Sequence, residues 1–223
     1  MSPGPSWITE EWLGGAGLLH GRPLRPDDRR RVVWLTPRRP AVVLGSTTPG
    51  QPGALAWRGA TVDVVRRRSG GGLVWVDPLA SMWVDLEIPV GDPLHRVDVS
   101  AAFEWVGEMF ARALGRLGVD AEVHRGPHVP GADRGLVCFE GRGAGEVFVA
   151  GRKIVGISQR RTRSATRFQC VAYDHFELGP LALVVDARVA DRAATAGIGV
   201  SEVGVSGGLV ALRSAVSDEL AVT

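Results

Sequence analysis

One lysine stands among 25 arginines in this chain of 223 residues (26 basic residues less Lys153). It sits on an apolar, glycine-flanked stretch, Gly151-Arg-Lys-Ile-Val-Gly-Ile-Ser-Gln-Arg-Arg161. GC-rich coding accounts for the scarcity of lysine, but not for the place of the survivor. An ammonium is a compact charge whose pKa its surroundings can move, whereas guanidinium is a permanently charged planar fork; a site built for the first does not accept the second. An isolated ionisable group among apolar neighbours is a site candidate. A second stretch carries chemistry of another kind. In Arg66-Arg-Arg-Ser-Gly-Gly-Gly72, three consecutive glycines carry a large backbone-entropy cost. They suit either a flexible hairpin turn or a loop that comes close to a ligand and offers bare amides to an anion. No Gly-Lys-Ser/Thr follows, so this is not a Walker loop. The five histidines, at 20, 95, 124, 128 and 175, have no metal-ligand spacing, and no protein-built metal site is expected.

These residues need a scaffold, and composition bounds it. A hydrophobic content of 45%, a charged content of 22% and a net charge of +2 are ordinary for a globular chain long enough to bury a core. There is no basic stripe for nucleic acid, no apolar run of membrane-spanning length and no signal-peptide pattern at the N-terminus. Two cysteines are not a disulfide framework. The expectation is a reduced, cytoplasmic protein without nucleic-acid or membrane partners.

Apolar runs bounded by Pro and Gly predict strands at 32–35, 41–44, 61–65 and 73–76. Residues 82–88 alternate, with Trp83, Asp85 and Glu87 opposite Met82, Val84, Leu86 and Ile88, which predicts a half-exposed strand. Phe103, Val106, Phe110, Ala113, Leu114 and Leu117 share one face of a helix from Ser100 to about Leu117, stopped by Gly118. Residues 146–149 and 153–159 read as a hairpin with a glycine at its turn, and 167–172 as a further strand. Residues 122–124 read as a short strand, 125–135 as a loop, 180–190 as a strand or short helix, and 207–220 as a C-terminal helix. Trp7, Ile8, Trp12 and Leu13 suggest a short amphipathic turn or helix, and Asp27 to Arg31 a solvated turn. Helices and strands mix without strict alternation, so the expected class is α+β, one domain over 1–223.

Two stretches together carry a resemblance. Val65-Arg66-Arg67-Arg68-Ser69-Gly70-Gly71-Gly72-Leu73-Val74 is similar to the RRxSGGGxV motif of the biotin/lipoate protein ligase and transferase superfamily, lipoate branch. The Lys153 stretch resembles that family's GxKIxGxAQRR segment, and Pro40 to Gly45 fits the strand before the glycine motif. The likeness covers about residues 32–172. It implies a class II synthetase-like catalytic fold of mixed β-sheets packed by helices, without the accessory C-terminal domain of the longer ligases. It also implies an enzyme that attaches lipoyl or octanoyl groups to a lysine of lipoyl carrier domains, of the 2-oxoacid dehydrogenase acyltransferase or glycine-cleavage H-protein type. Lys153 inherits the role of the catalytic lysine. Arg66, Arg67, Ser69, Gly70, Gly71, Gly72, Asp77, Gly156 and Gln159 inherit contacts to the acyl group or its adenylate. An ammonium beside an acyl carbonyl would stabilise the charge that grows on oxygen under attack.

The leading expectation is an ATP-dependent lipoate ligase working through lipoyl-adenylate, with Mg²⁺ arriving on the ATP phosphates. Two departures weigh against adenylation: Val76 stands where the family has His before Asp77, and Ala80 where ligases have Asn. Cys138-Phe139, Glu146-Val and Gly151-Arg-Lys153 resemble the spacing in cysteine-dependent octanoyl and lipoyl transferases, which hold the acyl group as a thioester and need no ATP. A cation such as Lys153 would activate that thiol; the alternative for Cys138 is a small buried hydrophobe. Cys170 is assigned to the core. A third reading is a non-catalytic relative that binds an acyl group or a carrier. Replacing Lys153 with alanine is expected to abolish activity and leave the fold stable.

Overall fold

A computed structural model describes residues 6–25, 27–131 and 136–223; residues 132–135 of the expected loop lie outside them. The N-terminal segment is not a helix but a strand, β1 (Ile8–Gly14), running parallel to β2 (Arg31–Pro37) through the short helix α1 (Ala16–Gly21). Ile8, Trp12 and Leu13 suggest a turn or helix because the pairing partner of their strand lies more than 20 residues away. The expected strands follow as β3 (Ala41–Leu44), β5 (Ala60–Arg66), β6 (Val74–Val76) and β7 (Ser81–Pro89). An additional strand, β4 (Gly53–Trp57), which no sequence pattern marks, pairs with β5. Helix α2 (Ala101–Arg116) ends at Gly118, whose φ of +82° is costly for residues with a Cβ. Ser100 makes no side-chain cap; Asp98 accepts from Ala101 N–H instead. Then come β8 (Glu122–Val123), β9 (Val147–Val149), β10 (Arg152–Arg161), β11 (Ala165–Tyr173), α3 (Ala187–Ala194) and α4 (Gly208–Ala221).

The strands form two mixed sheets. Seven run in the order β1-β2-β7-β11-β10-β9-β8, and four in the order β4-β5-β3-β6. One apolar cluster joins the large sheet to α2 and α4 through Val84, Leu86, Phe110, Leu114, Phe168 and Val216. A second lies between the sheets, around Val33, Val42, Trp75, Trp83 and Tyr173. Both faces of the large sheet therefore have a partner layer, which is how a sheet buries its apolar sides. Cys170 belongs to the first cluster, and burial, with help from the Asp85 charge, pushes its thiol pKa well up.

Two expectations about charge are corrected here. The alternating strand β7 is buried on both faces: Asp85 is fully buried and Glu87 nearly so. Arg22 and Arg167 make this tolerable. Arg22 reaches Asp85 and Glu87 at 3.1 Å each, and Arg167 reaches Glu87 at 2.8 Å. Trp83 donates to Asp85 at 2.9 Å. The segment 27–31 is a solvated turn only in part: Asp28 and Arg29 are exposed, but Arg30 and Arg31 are buried, and Arg30 is held by Asp92 at 2.8 Å and by the Thr223 carbonyl at 3.0 Å. Among the described residues, no helix is long and apolar enough to cross a membrane.

Candidate active site

The triple-glycine loop leaves β5 and re-enters the small sheet at β6. Its two leading arginines build it. Arg66 gathers the carbonyls of Gly45, Thr48 and Gly50 at 2.7–2.8 Å. Arg67 folds back onto the carbonyls of Gly70 at 2.9 Å and Gly72 at 3.2 Å. Gly71 has a φ of +98°, and its carbonyl fills the space that a side chain on Gly45 would need. Ser69 donates to Gln169 at 2.7 Å and meets Ser158 at 3.1 Å. Gln169 continues this buried chain to His20 at 3.1 Å. Burial, and after it the charges of Arg67, Arg167 and Arg22, holds the His20 pKa well below its ordinary value, so the ring is neutral.

The loop sews a distant segment to itself. Leu73 N–H donates to the Leu136 carbonyl at 2.7 Å, and Cys138 N–H to the Leu73 carbonyl at 2.8 Å. Cys138 then opens a single 3₁₀ turn, Cys138–Glu140, with its Sγ 4.0 Å from the position of a Cβ on Gly71.

Lys153 arrives from the hairpin of β9 and β10. Ala150 and Gly151 at its tip have φ of +48° and +78°, the two positive values of a type I′ turn. That turn pairs Arg152 with Val149 and Lys153 with Phe148. Glu146, two residues before Phe148, is the diagonal neighbour on the same face. The ammonium of Lys153 is buried and takes both a carboxylate and a carbonyl: Glu146 Oε2 at 2.6 Å and Cys138 O at 2.6 Å. The rings of Phe139 and Phe148 lie 5.5 and 5.8 Å away. Glu146 Oε2 also accepts from Gly143 N–H at 2.6 Å.

A cavity of about 880 Å³ opens between these parts. The three glycines, Cys138, Glu146, Ser158 and Gln159 line it, together with Val99, Phe103, Leu136 and Ile157. Lys153 does not line it; its ammonium lies behind Cys138 and Glu146, which do. A cavity of this size and mixed character suits an apolar acyl chain with a polar reacting end.

The sequence model described as "Lipoyl protein ligase A/B catalytic domain" matches residues 19–205. The chain belongs to this family. No curated protein matches the sequence at a significant level. Solved structures give the same fold. A bi-partite lipoate protein ligase from Thermoplasma acidophilum is similar with a TM-score of 0.67 at 15% identity, over 96% of this chain and 82% of that one. Protein Ta0514 from T. acidophilum with bound lipoic acid is similar with a TM-score of 0.64 at 15% identity, over 97% and 84%. Lipoate-protein ligase A bound with ATP is similar with a TM-score of 0.66 at 17% identity, over 97% and 83%.

Within this family fold, the expected site residues divide. Gly70, Gly71, Gly72, Cys138 and Gln159 meet at the cavity. Lys153 is adjacent to it, and Ser69 lies one hydrogen bond behind Ser158. Arg66 and Arg67 turn guanidinium donors onto the main chain in and beside the glycine loop, Arg67 through one terminal nitrogen while its Nε has no partner. Asp77 does not line the cavity; it closes the turn into β7, accepting from Leu79 N–H at 2.8 Å and Ala80 N–H at 2.9 Å. Gly156 makes room for the ring of Phe139, 3.2 Å from where its Cβ would be. The residue that sequence reasoning left without a role is Glu146. The hairpin register was its signal, since a turn at Ala150-Gly151 puts it diagonal to Lys153.

Proposed function

We propose that this protein transfers a lipoyl or octanoyl group to a lysine of a lipoyl carrier domain through a thioester on Cys138. The observation that carries this reading is the placement of Cys138. Its backbone is fixed on both sides, by Leu73 and by Lys153, and its side chain faces the cavity beside the bare backbone of Gly71. The buried Lys153 ammonium, bonded to the carbonyl of the same residue, supplies positive potential where a thiolate and then a tetrahedral oxyanion would form. In the first step the thiolate attacks an incoming acyl ester or thioester, expels its leaving group and becomes acylated. In the second, the carrier lysine displaces the acyl group and restores the thiol. The acyl chain would lie along Val99, Phe103, Leu136 and Ile157.

A ligase reading is favoured by the likeness to lipoate-protein ligase A bound with ATP. In that reading the glycine-loop amides would receive the adenylate phosphate, but the guanidiniums of Arg66 and Arg67 are already engaged by main-chain carbonyls. The carriers proposed are acyltransferase subunits of 2-oxoacid dehydrogenases or glycine-cleavage H proteins; the bi-partite relative was studied with its E2 lipoyl domain. Intact-mass analysis separates the two chemistries. Incubation with an octanoyl-thioester donor and no ATP is expected to add one octanoyl group to the protein, and Cys138→Ser to abolish it. Pyrophosphate release from lipoate and ATP, undiminished in Cys138→Ser, would overturn the thioester route.

A further inference from the structure

We infer that Glu146 forms the subsite for the acceptor amine, binding the carrier lysine as an ammonium and taking its proton. This deepens the acyl-transfer reading above and rests on it for the chemistry, though not for the binding.

Among the described residues that line the cavity, Glu146 is the one carboxylate, and no lysine or arginine lines it. Its two contacts, from Lys153 Nζ and Gly143 N–H, both fall on Oε2. Oε1 makes no hydrogen bond to any described residue, and it is not among the buried side-chain atoms left without a partner, so on a residue only 4% exposed it is the oxygen left open to the cavity. A carboxylate so placed has two consequences. Lys153 Nζ and Gly143 N–H hold it in place through Oε2. Its remaining oxygen gives the cavity an anionic point, and no other described lining residue carries a carboxylate, lysine or arginine side chain.

The acyl chain has no group that would use this point. The acceptor does. A lysine side chain has an ordinary pKa near 10.4 and so arrives as an ammonium. Entering a cavity of low polarity disfavours that charge unless an anion meets it. A charged amine is also no nucleophile, so a proton must leave before attack. At Glu146 both needs are met at one atom. The ammonium docks on Oε1 and gives one proton to the carboxylate, which passes it to water. The free amine then attacks the thioester carbonyl of acyl-Cys138. The C–N bond forms, the C–S bond breaks, and the second proton lost from nitrogen goes to the departing Cys138 thiolate.

The test has a binding arm and a chemical arm. Octylammonium and octanol, equal in chain length, are titrated calorimetrically into the wild-type protein and Glu146→Gln. The expected result is a loss of at least tenfold in octylammonium affinity, with octanol within about twofold. In the second arm, protein acylated on Cys138 by S-octanoyl-pantetheine is chased at pH 7 with Nα-acetyl-lysine amide, which is charged, or with hydroxylamine, which is not. Glu146→Gln should slow the lysine chase tenfold or more and leave the hydroxylamine chase within about twofold. Equal loss for both nucleophiles, or no loss of octylammonium affinity, would overturn the subsite. Should Glu146→Gln fail to fold, Glu146→Asp retains a charge for Lys153 while withdrawing it from the cavity, and the same selective losses are expected of it. If the wild type takes no octanoyl group at all, the acyl-transfer reading fails, and the calorimetric comparison alone decides the subsite.

Discussion

Lys153→Ala should unfold the protein more easily, contrary to the expectation that this replacement leaves the fold stable. Its ammonium is 1% exposed and 2.6 Å from a carboxylate that is 5% exposed. An exposed ion pair is worth about 0–1 kcal/mol. Removing one partner of a buried pair costs about 3–5 kcal/mol, because the survivor is left charged and poorly solvated. Here Glu146 would retain only Gly143 N–H and its edge on the cavity, and Cys138 O would lose its donor. The upper half of that range is softened by the cavity, which admits water to the carboxylate. For a chain of this size, 3–5 kcal/mol lowers Tm by roughly 6–20 °C. Urea unfolding of Lys153→Ala, Glu146→Gln and the double variant measures the coupling directly. The double variant leaves no unpaired charge, so its loss should fall short of the summed single losses by about 2 kcal/mol or more. A Lys153→Ala loss below about 1 kcal/mol, or strictly additive single losses, would refute the buried pair.

Gly45→Ala places a methyl group 1.8 Å from the Gly71 carbonyl oxygen, so the glycine loop beside Cys138 must shift. A loss of about 1–3 kcal/mol in urea unfolding is expected, together with slower acylation of Cys138, whereas Gly53→Ala, with open space around it, should keep the acylation rate. His20 offers a pH test. Its folded pKa lies well below 6.5, so below pH 6.5 the unfolded chain takes up a proton that the folded one refuses. That costs stability by up to about 1.4 kcal/mol per pH unit. The stability difference between wild type and His20→Gln should therefore narrow from pH 7.5 to 5; a constant difference would mean that the ring is charged or accessible in the fold.

Local pattern carried much of this protein. The face of α2, the three glycines at 70–72 and the hairpin that carries Lys153 are legible because each repeats or turns within a few residues, where the backbone periods of 3.6 and 2 operate. The pairing of Cys138 with Lys153 entered only through the resemblance to cysteine-dependent transferases. What the sequence could not state is which charges face inward. Asp85 and Glu87 alternate with apolar residues and so read as wet; they are dry because Arg22, 63 and 65 residues earlier, and Arg167, 80 residues later, close over them. Arg66 and Arg67 read as hands for a phosphate and instead hold the main chain of the glycine loop. Glu146 entered the sequence reading only as part of a spacing, and it had no role until the hairpin register set it against Lys153. Burial of a charge depends on a partner whose distance along the chain is arbitrary, and only the folded chain decides who that partner is.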